Sequence, residues 1–188
     1  MIDHGERDAI PVVYPETGLL LEVLVAMCGA RSAVEVGTAI GVSTLHIARA
    51  LAEGGTVISF EVDAGRHEAA RAYLDRAGVG DRVDLRLKDG TRGLAELGGP
   101  FDFAFLDASK GDYARQLALV LPLLRPGGVV AIDNVLLSGA VAAGRGLGHW
   151  SDEDVLRMRA FNADLVANRG LVATLLSVGD GVSVAVRR

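Results

Sequence analysis

The chain has 188 residues, half of them hydrophobic and 23% charged, which is enough for one domain with a sizeable core. Its net charge of −5 argues against non-specific binding to nucleic acid or to anionic membranes, because both need a basic surface. No apolar run is long enough to span a bilayer, and no secretion signal is recognisable at the N-terminus. The single cysteine, Cys28, cannot form an internal disulfide and is expected to be a buried thiol. We therefore expect a cytoplasmic, single-domain protein over residues 1–188, with a short lead at 1–14.

Short apolar runs alternate with longer amphipathic segments along the chain. The runs predict strands, apolar on both faces, at Ala33–Val36, Thr56–Phe60, Val83–Leu87, Phe101–Leu106 and Val129–Ile132. The other segments predict helices at Glu16–Cys28, Ser43–Ala52, Ala64–Ala77, Thr91–Leu97 and Tyr113–Leu124. Such alternation is typical of right-handed βαβ units. The sequence thus predicts a Rossmann-like, doubly wound α/β fold with helices on both faces of the sheet.

The C-terminal part follows a different pattern. Ser151 and Asp154 have the spacing of a capping box, which predicts a last helix that ends at about Asn168. Two apolar runs follow, at Leu171–Leu176 and Val182–Val186, and the turn between them is short and contains glycine. A short turn implies a hairpin, so we expect the final two strands to be antiparallel and the sheet to have about seven strands.

A glycine-rich turn follows the first predicted strand, at the edge where open parallel sheets bind ligands. Gly37 and Gly41 allow a tight bend and a close approach of the backbone to a ligand. Their G-x-x-x-G spacing matches neither the dinucleotide fingerprint nor a phosphate-binding loop. Glu35, just before the turn, suits an ammonium or sulfonium group better than a phosphate. The alternative is a packing turn with a capping carboxylate.

An acidic residue, Glu61, ends the second predicted strand, about twenty residues beyond the turn. A carboxylate at this place can accept hydrogen bonds from both hydroxyls of a ribose. It could instead cap the following helix, but Asp63 is already available for that role. The turn and Glu61 together predict a site for an adenosine-bearing molecule.

A second polar group is predicted where the fourth and fifth strands end. Asp107, Asp133 and Asn134 should converge at one rim, because those strands are expected to be neighbours. Carboxylate and amide oxygens favour Mg²⁺, Ca²⁺ or Mn²⁺ over Zn²⁺. Lys110 would lose its proton more readily beside a bound cation, which suits a general base. The alternatives are two independent helix caps and a surface lysine.

These segments resemble the cation-dependent O-methyltransferases, the group that contains catechol and caffeoyl-CoA O-methyltransferases, within the class I enzymes that use S-adenosylmethionine (SAM). The resemblance covers roughly Glu16 to the C-terminus, and D-x-x-K followed by D-N is its most specific part. The matching segments are Val34–Ser43, Ile58–Asp63, Phe101–Tyr113 and Ala131–Asn134. The resemblance implies a seven-stranded sheet in the order 3-2-1-4-5-7-6 with the last strand reversed. It also allows a homodimer.

The resemblance assigns roles by position. It implies that Glu61 binds the SAM ribose, that Asp89 lies at the adenine and that Asp107 faces the methionine end. The residues implied for SAM are Glu35, Gly37, Thr38, Ser43, Glu61, Asp89, Gly90 and Asp107. The implied metal ligands are Asp107, Asp133 and Asn134, with Mg²⁺ or alternatively Mn²⁺ or Ca²⁺. Lys110 would deprotonate the acceptor hydroxyl, with Asp107 as the second catalytic residue.

The implied acceptor is a catechol-type or related phenolic small molecule. The glycine-containing segment Leu136–Trp150 is expected to form a mobile flap beside the metal, and Tyr113 is a candidate for lining the acceptor pocket. Two other functions remain open on the sequence. One is an NAD(P)-dependent oxidoreductase, which leaves the aspartates and Lys110 unexplained. The other is a SAM-binding module without catalytic activity.

Overall fold

One seven-stranded sheet organises the chain, and the computed structural model describes all residues from Met1 to Arg188. The strands are β1 Ser32–Val36, β2 Thr56–Glu61, β3 Val83–Leu87, β4 Phe101–Leu106, β5 Leu124–Ile132, β6 Leu171–Leu176 and β7 Val182–Arg187. The α-helices are α1 Ile2–Asp8, α2 Pro15–Met27, α3 Val42–Ala50, α4 Ala64–Arg76, α5 Gly90–Ala95, α6 Tyr113–Val120, α7 Ala140–Ala143 and α8 Asp152–Ala167. None of these helices has the length and apolar character needed to cross a membrane.

The strand order is β3-β2-β1-β4-β5-β7-β6, as the resemblance implied. Neighbouring strands from β3 to β5 are parallel, and β7 is antiparallel to both β5 and β6. The predicted hairpin is therefore confirmed, because the short connection from Leu176 to Val182 lets the chain reverse but not cross over. The parallel strands all end at one edge of the sheet.

Hydrophobic clusters cover both faces of the sheet. Strand β4 contributes to each: Phe103 and Phe105 lie in the cluster that includes α2 and α3, whereas Ala104 and Leu106 lie in the one that includes α6 and α8. Side chains of a strand alternate between faces, so a central strand with helices on both sides must be apolar throughout. This confirms the doubly wound arrangement predicted from the unbroken apolar runs.

Two element boundaries differ from the prediction by more than two residues, and two helices, α1 and α7, are additional. Strand β5 begins at Leu124, so the Pro-Gly-Gly segment that was expected to precede the strand lies inside it, at a register shift against β4. The helix that starts at Tyr113 ends at Val120, where Pro122 restricts the chain to a short 3-10 turn. Helix α1 lies within the predicted lead, and the ring of its His4 makes a 2.9 Å hydrogen bond to the hydroxyl of Tyr73 on α4.

Candidate functional site

A cavity of about 560 Å³ lies beyond the carboxyl ends of the parallel strands. This is the position at which an open α/β sheet binds its ligands. Eight of the residues singled out from the sequence line it, and they follow five different strands: Gly37, Glu61, Asp89, Gly90, Asp107, Lys110, Asp133 and Asn134. Three others, Glu35, Thr38 and Ser43, do not line it.

In the glycine turn after β1, the backbone passes close to the backbone at the end of β4. Gly37 has a φ of +100°, and a Cβ atom at this position would overlap the carbonyl oxygen of Asp107. Only glycine tolerates both conditions. The N–H groups of Gly37 and Thr38 donate to the carbonyl oxygen of Phe60, which fixes the turn against β2. The turn therefore presents backbone rather than side chain to the cavity.

The carboxylate of Glu61 is held in place by three backbone N–H groups. Its Oε2 accepts a hydrogen bond from Ala39 at 2.7 Å, and its Oε1 accepts from Val62 and Asp63 at 2.9 Å. The residue is only 6% exposed, yet it lines the cavity. A carboxylate has about four acceptor positions, so capacity remains for a ligand hydroxyl. Asp63 caps α4 as expected, with its side chain accepting from the N–H of Arg66.

Glu35 points into the protein behind the turn. Its Oε2 accepts hydrogen bonds from the hydroxyls of Thr44 and Ser59, and the hydroxyls of Ser59 and Thr38 share a further bond. Burial raises the pKa of Glu35, and the hydroxyls of Ser43, Ser59 and Thr44 oppose that rise. The carboxylate lies behind the turn and does not line the cavity, and its Oε1 has no hydrogen-bond partner.

Asp89 and Gly90 lie where β3 leads into α5. The side chain of Asp89 accepts a hydrogen bond from the N–H of Arg92 at 2.9 Å and so caps the helix. A Cβ atom at Gly90 would overlap the side chain of Val36 on β1. The glycine therefore brings the start of α5 close to the sheet, beside the cavity.

A polar cluster, formed by Asp107, Lys110, Asp133 and Asn134, lies where β4 and β5 end. The ammonium of Lys110 donates to Oδ1 of Asp107 at 3.1 Å and to Oδ1 of Asn134. The N–H of Asn134, a residue with a φ of +54°, donates to Oδ1 of Asp133 at 2.8 Å. The predicted convergence of these side chains at one rim is thus observed.

The polar cluster contains two carboxylates but only one cationic side chain. Burial and the nearby charge of Asp107 raise the pKa of Asp133 to about 7, although its bond to the N–H of Asn134 and the charge of Lys110 act in the opposite direction. No group of three or more His, Cys, Asp or Glu side chains is placed to share a metal. The donors present are two carboxylates and one amide oxygen, which suit a hard divalent cation whose remaining ligands are water or substrate oxygens.

Tyr113 does not line the cavity, contrary to the expectation from the sequence. Its side chain is 1% exposed and belongs to the core, and its hydroxyl donates to the backbone carbonyl of Asp133 at 3.0 Å. Helix α6 places it among the buried residues of the helix, so it supports the polar cluster from the protein core. The segment from Leu136 to Trp150 includes α7 and buries Leu137 and Ala140, so part of the expected flap is anchored in the core.

The sequence profile of the O-methyltransferase family matches residues 6–188. The chain belongs to this family. It is 36% identical over 184 residues to a catechol O-methyltransferase of Niastella koreensis. The alignment covers 93% of this chain and 81% of the relative. It is 35% identical to tricin synthase 2 of Oryza sativa, with 92% of this chain covered, but it spans only 62% of that protein's length.

Solved structures of the family share the fold. An O-methyltransferase from Bacillus cereus, crystallised in complex with SAH, is 32% identical, with a TM-score of 0.85 over 100% of this chain and 88% of the other. An O-methyltransferase from Streptomyces achromogenes involved in tomaymycin synthesis, in complex with SAM, is 31% identical, with a TM-score of 0.82 over 97% and 85% of the two chains.

Several residues that line the cavity were not predicted from the sequence. Asp180, in the β6–β7 hairpin, lines the cavity, and its charge contributes to the raised pKa of Asp133. Val12 and Tyr14 in the lead also line it, although nothing in their local pattern suggests this. Gln116 could have been found, because it is a polar residue on the stripe of α6 that buries Tyr113, Leu117 and Val120.

Proposed function

We propose that this chain transfers the methyl group of SAM to a hydroxyl of a catechol-type or related phenolic small molecule, with assistance from a divalent cation. One observation carries the proposal. A single cavity contains both the preorganised carboxylate of Glu61 and the polar cluster of Asp107, Lys110, Asp133 and Asn134. The first suits a nucleoside and the second suits a cation with an oxygen acceptor.

The donor would bind along the ends of β1 to β3. Glu61 would accept hydrogen bonds from the ribose hydroxyls, since three backbone donors already fix its carboxylate. Gly37 would let the methionine portion approach the turn backbone, and Asp107 lies beside that turn. These contacts would orient the methyl group toward the polar cluster, and orientation is a large part of what a methyl transfer requires.

The polar cluster fits a divalent cation by the chemistry of its donors. Asp107, Asp133 and Asn134 would hold the ion, and a buried and a partly buried carboxylate beside one lysine leave negative charge for a cation to neutralise. When bound, such an ion would lower the pKa of an acceptor hydroxyl, as it does for water. Glu35, Thr38 and Ser43 would contribute indirectly, by supporting the turn.

Lys110 would act as the general base. Its side chain is 18% exposed and its nitrogen lies between Asp107 and Asn134, within the same cavity. Acting as the neutral amine, it would take the proton from the acceptor hydroxyl as the oxygen bonds to the methyl carbon and the carbon–sulfur bond breaks. The products are the methyl ether, S-adenosylhomocysteine (SAH) and one proton.

The test is methyl transfer to a panel of catechols with Mg²⁺ and with EDTA, for the wild type and for Asp133→Ala. We expect the wild type to lose activity in EDTA. We expect Asp133→Ala to be inactive but to bind SAH with nearly unchanged affinity in calorimetry, because Asp133 belongs to the cation side of the cavity.

The matched control is Asp84→Ala, which removes a half-exposed carboxylate that pairs with Arg86 on β3, away from the cavity. It should remain active. Full activity in EDTA would refute the role of the cation. SAH binding without activity on any phenol would favour the non-catalytic module, and stabilisation by NAD but not by SAH would favour the oxidoreductase.

A further inference from the structure

Gln116 is a polar residue in an apolar position. Helix α6 buries four residues on one stripe, and the other three are Tyr113, Leu117 and Val120. Gln116 is only 2% exposed. A buried primary amide destabilises a protein unless its donors and acceptor find partners, so its retention on this stripe calls for a compensating interaction.

Only one end of the amide has a partner within the protein. Nε2 donates to the hydroxyl oxygen of Thr91 at 3.2 Å, whereas the buried Oε1 accepts no hydrogen bond. The other side chains with a buried, unpartnered polar atom are Thr17, Glu35, Trp150, Asn162 and Ser183. None of these lines the cavity, but Gln116 does. Gln116 therefore combines an unpartnered acceptor with a place in the wall of the cavity.

The bond from Nε2 to Thr91 places the amide of Gln116 beside the start of α5. Thr91 lies in the first turn of α5, directly after Asp89 and Gly90, which also line the cavity. The strand order β3-β2-β1-β4-β5 separates this side from the polar cluster at the ends of β4 and β5. A nucleoside whose ribose contacts Glu61 at the end of β2 would extend its base toward β3 and α5.

We propose that Oε1 of Gln116 accepts a hydrogen bond from the exocyclic amino group of adenine, and that this residue selects adenine over a 6-oxo purine. The proposal rests on the proposed SAM-dependent function. Thr91 positions the amide by accepting from Nε2, so that the oxygen faces the base. A 6-oxo purine offers a carbonyl oxygen where adenine offers N–H, so two acceptors would oppose each other and both would stay unpaired.

Asp89 is less suited to this discrimination. It is exposed, and its carboxylate already accepts the N–H of Arg92 as the cap of α5. A hydrogen bond in contact with water contributes little selectivity, since water satisfies whichever group the ligand lacks. Water cannot replace a missing partner of the buried Gln116 amide. We therefore expect Gln116, and not Asp89, to distinguish adenine from a 6-oxo purine.

The experiment compares the binding of SAH and of its deaminated analogue, S-inosylhomocysteine, by isothermal titration calorimetry. We expect the wild type to prefer SAH by about tenfold or more, the ratio that one hydrogen bond can supply. Gln116→Met keeps the length of the side chain but removes both polar atoms. We expect this variant to bind the two ligands with nearly equal affinity, mainly through weaker binding of SAH.

Asn162→Leu is the matched control. Asn162 is also a buried amide with one bonded nitrogen and one unpartnered oxygen, but it lies on α8 outside the cavity. This variant should lose stability and keep the wild-type preference. Should Gln116→Met not fold, Thr91→Val takes its place, and the preference should fall severalfold because the amide is then free to rotate.

The outcomes separate the inference from the proposed function. Equal wild-type affinity for both ligands, or a preference for the 6-oxo analogue, would overturn the role of Gln116 while leaving SAM-dependent chemistry intact. Full preference in Gln116→Met, or in Thr91→Val if that variant is used, would do the same. Failure of the wild type to bind either ligand would overturn the proposed function and the inference together.

Discussion

Glu35 and Glu61 are both acidic residues at the ends of strands, but they have different surroundings. Three backbone N–H groups hold Glu61 at the cavity wall, whereas Glu35 lies behind the turn among hydroxyl groups. The sequence predicts that both strand ends carry acids. It does not predict which one faces the cavity, because that depends on how the turn packs against β2.

At the same scale, Gly37 should be the least replaceable glycine of the turn. Gly37→Ala would combine a φ of +100° with a clash against the carbonyl of Asp107, so the backbone would have to move. We expect a clear loss of stability in urea denaturation and a loss of SAH binding. Gly54→Ala is the control: its φ is also positive, at +70°, but no atom lies within 4 Å of the added Cβ. It should cost about 1–2 kcal/mol, and equal losses in the two variants would contradict the clash.

At the scale of elements, the capping box that starts α8 is present as predicted. The hydroxyl of Ser151 accepts from the N–H of Asp154 at 3.1 Å, and Asp154 accepts from the N–H of Ser151 at 3.0 Å. Such a cap forms between residues that are close in the sequence, so the sequence alone is enough to predict it. Helix α1 is different, because seven residues without tertiary contacts would be marginal, and its bond to Tyr73 is formed only in the folded protein.

Removal of the cap should weaken α8 and its packing on β6. We expect Ser151→Ala to lower the free energy of unfolding by about 0.5–2 kcal/mol, the usual range for the loss of a capping side chain. Ser177→Ala is the comparison, since Ser177 is exposed in the turn between β6 and β7. Chemical denaturation measures both. Identical stability of the two variants would mean that the cap contributes nothing.

At the scale of the whole molecule, the two edges of the sheet have different roles. The carboxyl edge carries the cavity, and the amino edge is tied together by Asp102 at the start of β4. This carboxylate accepts from the N–H groups of Arg31 and Ser32 at 2.8 and 2.9 Å and from the side chain of Arg125 at 2.6 Å. It thereby joins β1, β4 and β5 on the side away from the chemistry.

Asp102 should make stability depend on pH. Burial raises its pKa, but the hydrogen bonds from Arg125, Arg31 and Ser32 outweigh burial and hold that pKa below its usual value. The folded state therefore binds this proton less readily than the unfolded state, so the stabilisation is present above the unfolded pKa and is lost as pH falls through the folded one.

We expect Asp102→Asn to cost about 1–3 kcal/mol of unfolding free energy at neutral pH. The difference from the wild type should shrink in strongly acidic solution. SAH affinity should stay unchanged, because the residue lies far from the cavity. Asp84→Asn, at a half-exposed pair with Arg86, should cost less than about 1 kcal/mol. A pH-independent difference, or weakened SAH binding by Asp102→Asn, would contradict this assignment.

The sequence by itself determined the alternation of strands and helices, the final hairpin, the cap of α8 and the strand ends at which polar residues collect. These features depend on side-chain periodicity, glycine and local hydrogen bonds, all of which are readable within a few residues. Only the tertiary structure decided that Glu35 and Tyr113 face inward, that the lead contributes Val12 and Tyr14 to the cavity, and that Gln116 lines it with an unpartnered Oε1. Those outcomes depend on contacts between segments that are distant in the chain, and local sequence patterns do not predict such contacts.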